Sequence, residues 1–97
     1  MQKQSILLLS TACISKETAD CINNACFEHT KLCGEIMIYE EGMHGWFISV
    51  PDNIDNLAMP NDLRDCMEKA KFEKCNWIMF DRDIDFIIED GLQKYNW

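Results

Sequence analysis

The spacing of apolar residues changes repeatedly along the chain, and this change is the strongest constraint on the fold. Strand-like apolar runs cover Ser5–Leu9, Glu35–Tyr39, Trp46–Val50 and Trp77–Phe80. Helical spacing, with apolar residues three or four positions apart, covers Lys16–Glu28 and the segment after Pro60. In the first of these, Ala19, Ile22 and Cys26 lie on one stripe. The order β-α-β-β-α-β predicts an α+β fold with a four-stranded antiparallel sheet and two helices, the ferredoxin-like arrangement. Strand order is not encoded in this pattern, so other α+β sheets remain open.

Local signals predict where these elements end. Ser15 is a favourable N-cap for the first helix, and Gly34 fits a turn or cap after it. The glycines of Glu40–Gly45 suit a hairpin turn between the two middle strands. Pro60 suits the first turn of the second helix, where a missing N–H costs nothing. The outer face of that helix mixes four acids with four bases, and its apolar face consists of Leu63, Cys66, Met67 and Ala70.

The predicted strands carry apolar residues on both faces. An antiparallel sheet with one wet face would instead alternate apolar and polar residues. Two helices cover only one face, so the second face requires the tail after Arg82 or another protein chain. We expect the tail to pack on the fold and to bury Trp97. Its large apolar residues are Phe86, Ile87, Ile88, Leu92, Tyr95 and Trp97.

Acidic residues are concentrated in two blocks. Six acids and one base lie between Glu28 and Asp55, and five acids and one base lie between Asp81 and Asp90. These blocks carry −5 and −4, and Lys94 brings the net charge to −8 because the remaining segments balance to zero. Acids placed this unevenly suggest a negative face that selects its partners. The candidate partner-binding residues are Glu40, Glu41, Asp81, Asp83 and Asp85.

The segment Asp81–Asp85 resembles the start of a calcium-binding EF-hand loop. The resemblance ends at Phe86, where the loop requires glycine, and at Leu92, where it requires glutamate. If the segment is extended, its carboxylates line one side at intervals of ~6.6 Å, twice the rise per strand residue. Such a row is either a solvated edge that discourages aggregation or a set of charges that fits a basic groove.

Length and composition favour a single domain over residues 1–97, large enough for one core. The apolar run Ile6–Leu9 is too short for a signal peptide or a membrane span, so we expect a cytoplasmic protein with no membrane partner. The sequence has no basic patch of the kind that phosphates require, so we expect no direct nucleic-acid ligand.

The six cysteines lack the C-x₂₋₄-C pairs of a zinc site. We therefore expect no metal and no cofactor, with all six cysteines present as thiols in a reducing compartment. One reactive cysteine is the alternative, but a nucleophile needs an oriented base. The chain offers only His29, near a predicted helix end, and His44, in the predicted hairpin turn. We expect no enzymatic activity, because nucleophile, base and phosphate-loop motifs are missing.

Four separated motifs, in order along nearly the whole chain, resemble an uncharacterised domain family, the domain of unknown function 5983. They are Ser10–Ala12 with Ser15–Ala19, then Gly45–Asp52, then Cys75–Asp83, and finally Gly91–Leu92 with Tyr95–Trp97. At Cys13 this chain departs from the family, whose members tend to carry histidine there. The family is found largely on bacterial plasmids, phages and integrated elements. The resemblance implies that genomic setting, in which small acidic proteins often disarm host nucleases.

Two classes of function follow from charge and resemblance together. The first is an acidic interaction protein that inhibits a host nucleic-acid-handling defence nuclease, of the CRISPR or restriction type, by presenting a negative face to a basic groove. The second is a small regulatory or ligand-binding α+β module, possible as a homodimer. Salt separates the two classes, because binding to a basic nuclease weakens strongly as salt rises.

Overall fold

The computed structural model describes residues 5–41, 45–87 and 91–95. Four strands and two α-helices follow one another in the predicted order. The strands are β1 (Ile6–Ser10), β2 (Ile38–Glu41), β3 (Gly45–Ser49) and β4 (Trp77–Asp81). The helices are α1 (Lys16–Phe27) and α2 (Asn61–Phe72), with short 3₁₀ turns at Thr11–Cys13 and Ile54–Asn56. The predicted position of His44 in a hairpin turn and the predicted burial of Trp97 lie outside the described residues.

The sheet is mixed, and its strand order is β1-β4-β3-β2. β1 pairs with β4 in parallel, whereas β4 pairs with β3, and β3 with β2, in antiparallel fashion. The prediction of a purely antiparallel sheet is therefore wrong, and the ferredoxin-like order is not confirmed. Apolar period identifies a strand without identifying its neighbour, so this pairing was not available from the sequence.

β2 begins three residues later than predicted because the chain first makes a tight turn. The backbones of Leu32 and Ile36 exchange two hydrogen bonds of 2.9 Å. Between them, Cys33 and Gly34 have positive φ angles of 52° and 86°. Both Leu32 and Ile36 are buried, so this turn places Ile36 of the predicted strand, together with Leu32 before it, in the core before β2 starts.

The core lies between the helices and one face of the sheet. Leu9 of β1, Ile48 of β3, and Ile78 and Phe80 of β4 are at most 1% exposed. The predicted helix stripes supply the opposite side. They include Ala19, Ile22, Leu63, Cys66, Met67 and Ala70, all buried. The helices therefore cover one sheet face, as the sequence predicts.

The loop between β3 and α2 is held by one arginine. The Arg64 guanidinium donates hydrogen bonds of 2.8 Å to the carbonyl oxygen of Ile54 and 2.6 Å to that of Leu57. Pro60 lies immediately before α2, and its carbonyl oxygen accepts the Arg64 N–H at 2.9 Å. This side chain thus fixes the entry into α2, which in turn supplies half of the helical layer.

Both helices end with a non-glycine residue in the left-handed conformation. His29 follows α1 with a φ of 56°, and Lys74 follows α2 with a φ of 60°. In each case the next residue donates its N–H to a carbonyl five residues back, Thr30 to Ala25 at 2.9 Å and Cys75 to Ala70 at 2.8 Å. Glycine is the usual residue at this position, because a Cβ is strained there.

Replacing His29 by glycine should therefore stabilise the protein. The left-handed strain is relieved, and the extra freedom of glycine in the unfolded chain offsets part of the gain, leaving about 0.5–1 kcal/mol. Urea denaturation measures the change. His29→Ala is the matched control because alanine keeps the strain. A glycine variant no more stable than the alanine variant would contradict this explanation of the helix end.

Candidate functional site

The five predicted partner-binding acids lie on two strands and on the segment after β4. Glu40 and Glu41 end β2, and Asp81 ends β4. Asp83 and Asp85 follow β4 and are exposed, whereas Asp81 is half-buried. The predicted blocks therefore occupy two separate strands, and strand pairing decides whether they meet.

The strand register brings the two acidic blocks to one end of the sheet. Glu41 pairs with Gly45, Gly45 pairs with Asp81, and Asp81 pairs with Ser10. These four positions form a single row across all four strands. We call positions 41, 81, 83 and 85 the acidic end of the sheet. Asp81, Asp83 and Asp85 supply three carboxylates with one neighbouring base, the exposed Arg82, so this end of the molecule is negative.

Glu40 does not belong to the acidic end. It pairs with Trp46, whose side chain is buried on the helix-covered side of the sheet. Glu40 lines a hollow with Asn23 and Cys26 of α1, and its charge, after burial, contributes to raising the pKa of the Cys26 thiol. The structure thus places this residue on the opposite side of the sheet from the row that contains Asp81.

The segment after β4 is turned rather than extended. Asp81 Oδ1 accepts the Asp83 N–H at 2.8 Å, and the Asp81 carbonyl oxygen accepts the Ile84 N–H at 3.2 Å. An aspartate that bonds the backbone two residues on is a standard turn former. The segment therefore does not form the extended row of carboxylates at regular intervals that the sequence allows. The turn instead presents Asp83 beside the end of β4.

The face of the sheet that the helices leave uncovered is apolar. Ile6 is 47% exposed, and Leu8 and Tyr39 are each 55% exposed. Phe47, Trp77 and Met79 are half-buried and alternate along their strands with fully buried core residues. We call these side chains the open sheet face: Ile6, Leu8, Tyr39, Phe47, Trp77 and Met79. The prediction that both strand faces are apolar is confirmed.

The tail packs on the fold away from this face. Tyr95 donates its N–H to the carbonyl oxygen of Ala12 at 2.8 Å, and Phe86 and Leu92 pack against the core. The Tyr95 hydroxyl has a raised pKa, first through burial and then through Asp62 and Asp65 of α2. Phe86, Leu92 and Tyr95 therefore lie on the helical side and leave the open sheet face exposed, so the prediction that the tail covers this face is wrong for these residues, whereas Ile88 and Trp97 lie outside the described residues.

A hollow of about 280 Å³ lies in the middle of the open sheet face. Ile6, Tyr39, Phe47 and Trp77 line it. The rings of Tyr39 and Trp77 are tilted by 44° with centroids 5.8 Å apart, within the usual range for a favourable aromatic pair. Aromatic side chains and methionine are enriched at the centres of protein interfaces, and this face combines both.

A second hollow, of about 380 Å³, lies between the end of α1 and β2, and Cys26, His29 and Glu40 are among its lining residues. Burial raises the pKa of the Cys26 thiol, and the thiolate is the nucleophilic form. Cys26 is therefore a poor nucleophile even though a histidine lies nearby. Within the described residues, no group of three histidine, cysteine or acidic side chains is placed to hold a metal ion.

The six cysteines occupy different environments, and no disulfide joins them. Cys13 and Cys66 are buried, Cys21 is exposed, and the other three are half-buried. Burial raises the pKa values of the Cys33 and Cys66 thiols. Cys66 lies on the predicted apolar stripe of α2 and behaves there as a small apolar residue.

One buried carboxylate that sequence reasoning missed is Asp62. It lies at the start of α2 and is 8% exposed. Its Oδ2 accepts the Ser15 N–H at 2.7 Å and its Oδ1 accepts the Thr18 hydroxyl at 2.8 Å. The sequence places Asp62 among the mixed charges of an outer helix face, and the only signal for its role is a polar residue beside the apolar stripe. Asp62 ties the two helix N-termini together.

None of the helices in the described part of the chain is long and apolar enough to cross a membrane. Comparison with curated proteins finds no match, and comparison with solved structures finds none either. Residues 6–97 match the family of unknown function DUF5983, C-terminal domain. The match covers nearly the whole chain, including every strand, both helices and the acidic end. The chain therefore belongs to the DUF5983 family.

Proposed function

We propose that this protein is a small acidic interaction protein that inhibits a host nucleic-acid-handling nuclease, of the CRISPR or restriction type. The observation that supports the proposal best is the row Glu41–Gly45–Asp81–Ser10, which brings two separate acidic blocks to one end of the sheet. Nucleases bind phosphates through basic grooves, and a concentrated negative surface competes for the same cations.

The placement of the bases supports the same proposal. Four of the nine lysines and arginines belong to α2 or follow it directly. Arg64 and Lys71 contact the loop that precedes α2, through the carbonyl oxygens of Ile54 and Asp52, and Lys69 pairs with Glu73 at the end of the same helix. These three bases are therefore engaged at α2 and in the loop before it. With a net charge of −8, such a protein would be steered quickly towards a basic partner.

Charge reversal tests this proposal. Lysine at the four positions of the acidic end, Glu41, Asp81, Asp83 and Asp85, changes the net charge from −8 to 0, because each reversal adds two. We expect inhibition of the target nuclease to be lost and the association rate at low salt to fall at least ~10-fold. The measurements are cleavage by purified CRISPR and restriction nucleases, with association rates at ~50 and ~300 mM NaCl.

A control variant separates position from total charge. It also carries four reversals to lysine and reaches 0, but at exposed acids elsewhere, namely Glu28, Glu35, Asp55 and Asp65. We expect this control to retain more inhibition than the first variant. The control should melt close to the unmodified protein because exposed charges contribute little to folding, and circular dichroism checks that the first variant, which loses the hydrogen bond from the Asp83 N–H to Asp81, remains folded. If the first variant inhibits as well as the control, the acidic end is not the binding surface.

A ligand-binding module is the second candidate. The hollow between α1 and β2 favours it, because its volume of about 380 Å³ is within the range of small-molecule sites. Its lining includes polar residues such as His29 and Glu40 and apolar residues such as Ala25 and Ile38. Such a module should bind a small molecule with little dependence on salt, whereas the proposed inhibitor should bind its partner weakly at high salt.

A further inference from the structure

We propose that the open sheet face is the interface of a two-fold symmetric homodimer, in which the strands of the two copies run antiparallel across the interface. The inference is independent of the proposed function. It starts from the exposure of apolar groups on a face that no described helix or tail residue covers. Ile6, Leu8 and Tyr39 are 47%, 55% and 55% exposed, and together with their half-buried neighbours they form one continuous patch.

The centre of this face has no charge to desolvate. The strand register gives one row of Leu8, Met79, Phe47 and Tyr39, and a second row of Ile6, Trp77 and Ser49. The one hydroxyl in the second row, Ser49 Oγ, already accepts the Met37 N–H at 2.8 Å. Covering these rows removes apolar surface from water, which is favourable at about 25 cal/mol per Å², and leaves no buried charge without a partner.

Repulsion between the acidic ends selects the orientation. The acids lie at only one end of the face, at the row of Asp81, whereas the opposite end, at Trp77 and Ser49, has no charged residue in the register. Antiparallel packing places each acidic end over the uncharged end of the other copy. Trp77 and Asp81 are four positions apart in β4, which corresponds to about 13 Å along the strand. This distance between the two ends of the face exceeds the Debye length of about 8 Å in physiological salt. Parallel packing would superimpose the two acidic ends.

The size of the face sets the expected strength. Four strands at about 4.8 Å spacing and five residues of length give a footprint of roughly 300 Å² per copy. Two copies give roughly 600 Å² of flat footprint, and the exposed side chains of Ile6, Leu8 and Tyr39 add to it, so the interface is small compared with the roughly 1,000–1,200 Å² at the lower limit of specific interfaces. We therefore infer a reversible dimer with a dissociation constant in the micromolar range. The two acidic ends remain uncovered, at opposite ends of the dimer.

Sedimentation velocity of the full chain tests the proposal, over ~1 to ~300 μM protein and at ~50 and ~500 mM NaCl. We expect a monomer–dimer equilibrium that tightens as salt rises, because each copy has a charge of −8 and screening weakens their repulsion. Leu8→Glu should raise the dissociation constant at least ~10-fold. Leu8→Lys should do the same although it makes the net charge less negative, because both variants place a charge in the apolar centre.

Phe72→Glu is the matched control, since Phe72 is 84% exposed on α2 and the change in charge equals that of Leu8→Glu. It should leave the dimer intact. Ile6→Glu serves as a second variant if Leu8→Glu fails to fold, which far-ultraviolet circular dichroism reports. A monomer at every concentration and salt overturns the proposal and leaves the face to a different protein. A dimer that survives substitutions at both Leu8 and Ile6, or that dissociates as salt rises, overturns it as well.

Discussion

Replacing Gly45 by alanine should lower the free energy of unfolding by about 3 kcal/mol or more. Gly45 begins β3 and pairs with Asp81 of β4. A Cβ added to Gly45 would overlap the carbonyl oxygen of Phe80 and lie 2.7 Å from its carbonyl carbon. Both atoms belong to the backbone of a central strand, so no side chain can rotate to make room. The strands must separate, and hydrogen bonds between β3 and β4 are lost.

Thermal unfolding monitored by circular dichroism measures this effect. We expect the melting temperature to fall by at least ~12 °C, since about 1 kcal/mol corresponds to 4–8 °C in a domain of this size. Gly34→Ala is the matched control. Gly34 has a φ of 86° but no atom within 4 Å of an added Cβ, so that variant has only the left-handed strain of about 1–2 kcal/mol.

The comparison separates a steric cause from a conformational one. If both variants lose the same stability, the close approach of β3 to Phe80 is not what requires glycine at position 45. Because Gly45 lies between positions 41 and 81 in the row, its substitution should also spread the acidic end. Gly45→Ala should therefore reduce any binding that depends on this end, even at temperatures where it remains folded.

The sequence was sufficient for the element types because each one depends on local period. The strand-like spacing around Ile78 and Phe80 and the helical spacing around Ile22 and Met67 each require a buried side, and all four residues are 0% exposed. Strand neighbours depend instead on contacts between distant segments. Nothing in the apolar run of β1 distinguishes β4 from another strand as its partner, so the parallel pair was missed.

That both sheet faces are apolar was predictable, but the path of the tail was not. The uninterrupted apolar runs of β1 and β4 place apolar side chains on both faces whatever the strand order. Which face receives the tail depends on a backbone contact, the hydrogen bond from Tyr95 to Ala12. That contact directs the tail to the helical side, and the number of apolar residues in the tail gives no information about its direction.

The acidic end was predicted in composition and only partly in geometry. Acid blocks can be counted along the chain, but their meeting requires the pairing of Gly45 with both position 41 and Asp81. Alternation along β2 separates Glu40 from that group. The sequence therefore suggested one surface for five residues, whereas the structure divides them between the two sides of the sheet.

Asp62→Ala should be the most destabilising removal of a charged side chain in the helical layer. Its carboxylate accepts hydrogen bonds from the Ser15 N–H at 2.7 Å and the Thr18 hydroxyl at 2.8 Å, across 47 and 44 residues of chain. Removing it leaves two donors near the core without an acceptor. Hydrogen bonds to charged groups are worth about 1.5–3 kcal/mol each. Because the variant no longer has to desolvate a buried carboxylate, we expect a smaller net loss of about 2–4 kcal/mol in urea denaturation.

Two further variants test whether the tether itself is responsible. Asp65→Ala removes an exposed carboxylate one turn along the same helix and should change stability by less than ~0.5 kcal/mol. Thr18→Val removes one donor and keeps the shape of the side chain. In the Asp62→Ala background it should cost little, so a double-mutant cycle should give a coupling free energy of about 1–2 kcal/mol. Additive losses would mean that the two residues act separately.

The pH dependence of stability gives the sign of the electrostatic contribution of Asp62. Burial alone would raise the pKa of the Asp62 carboxyl, but the hydrogen bonds from Ser15, Thr18 and Leu63 outweigh burial and hold it below its ordinary value. A lowered native pKa stabilises the fold above the unfolded pKa of about 3.9, and this contribution is lost as the pH falls through the native value. The difference in unfolding free energy between the unmodified protein and Asp62→Asn should thus be constant from about pH 7 to about pH 5 and shrink below about pH 4. A difference that instead grows on acidification would mean that burial dominates and that the native carboxyl binds its proton more tightly than the unfolded one.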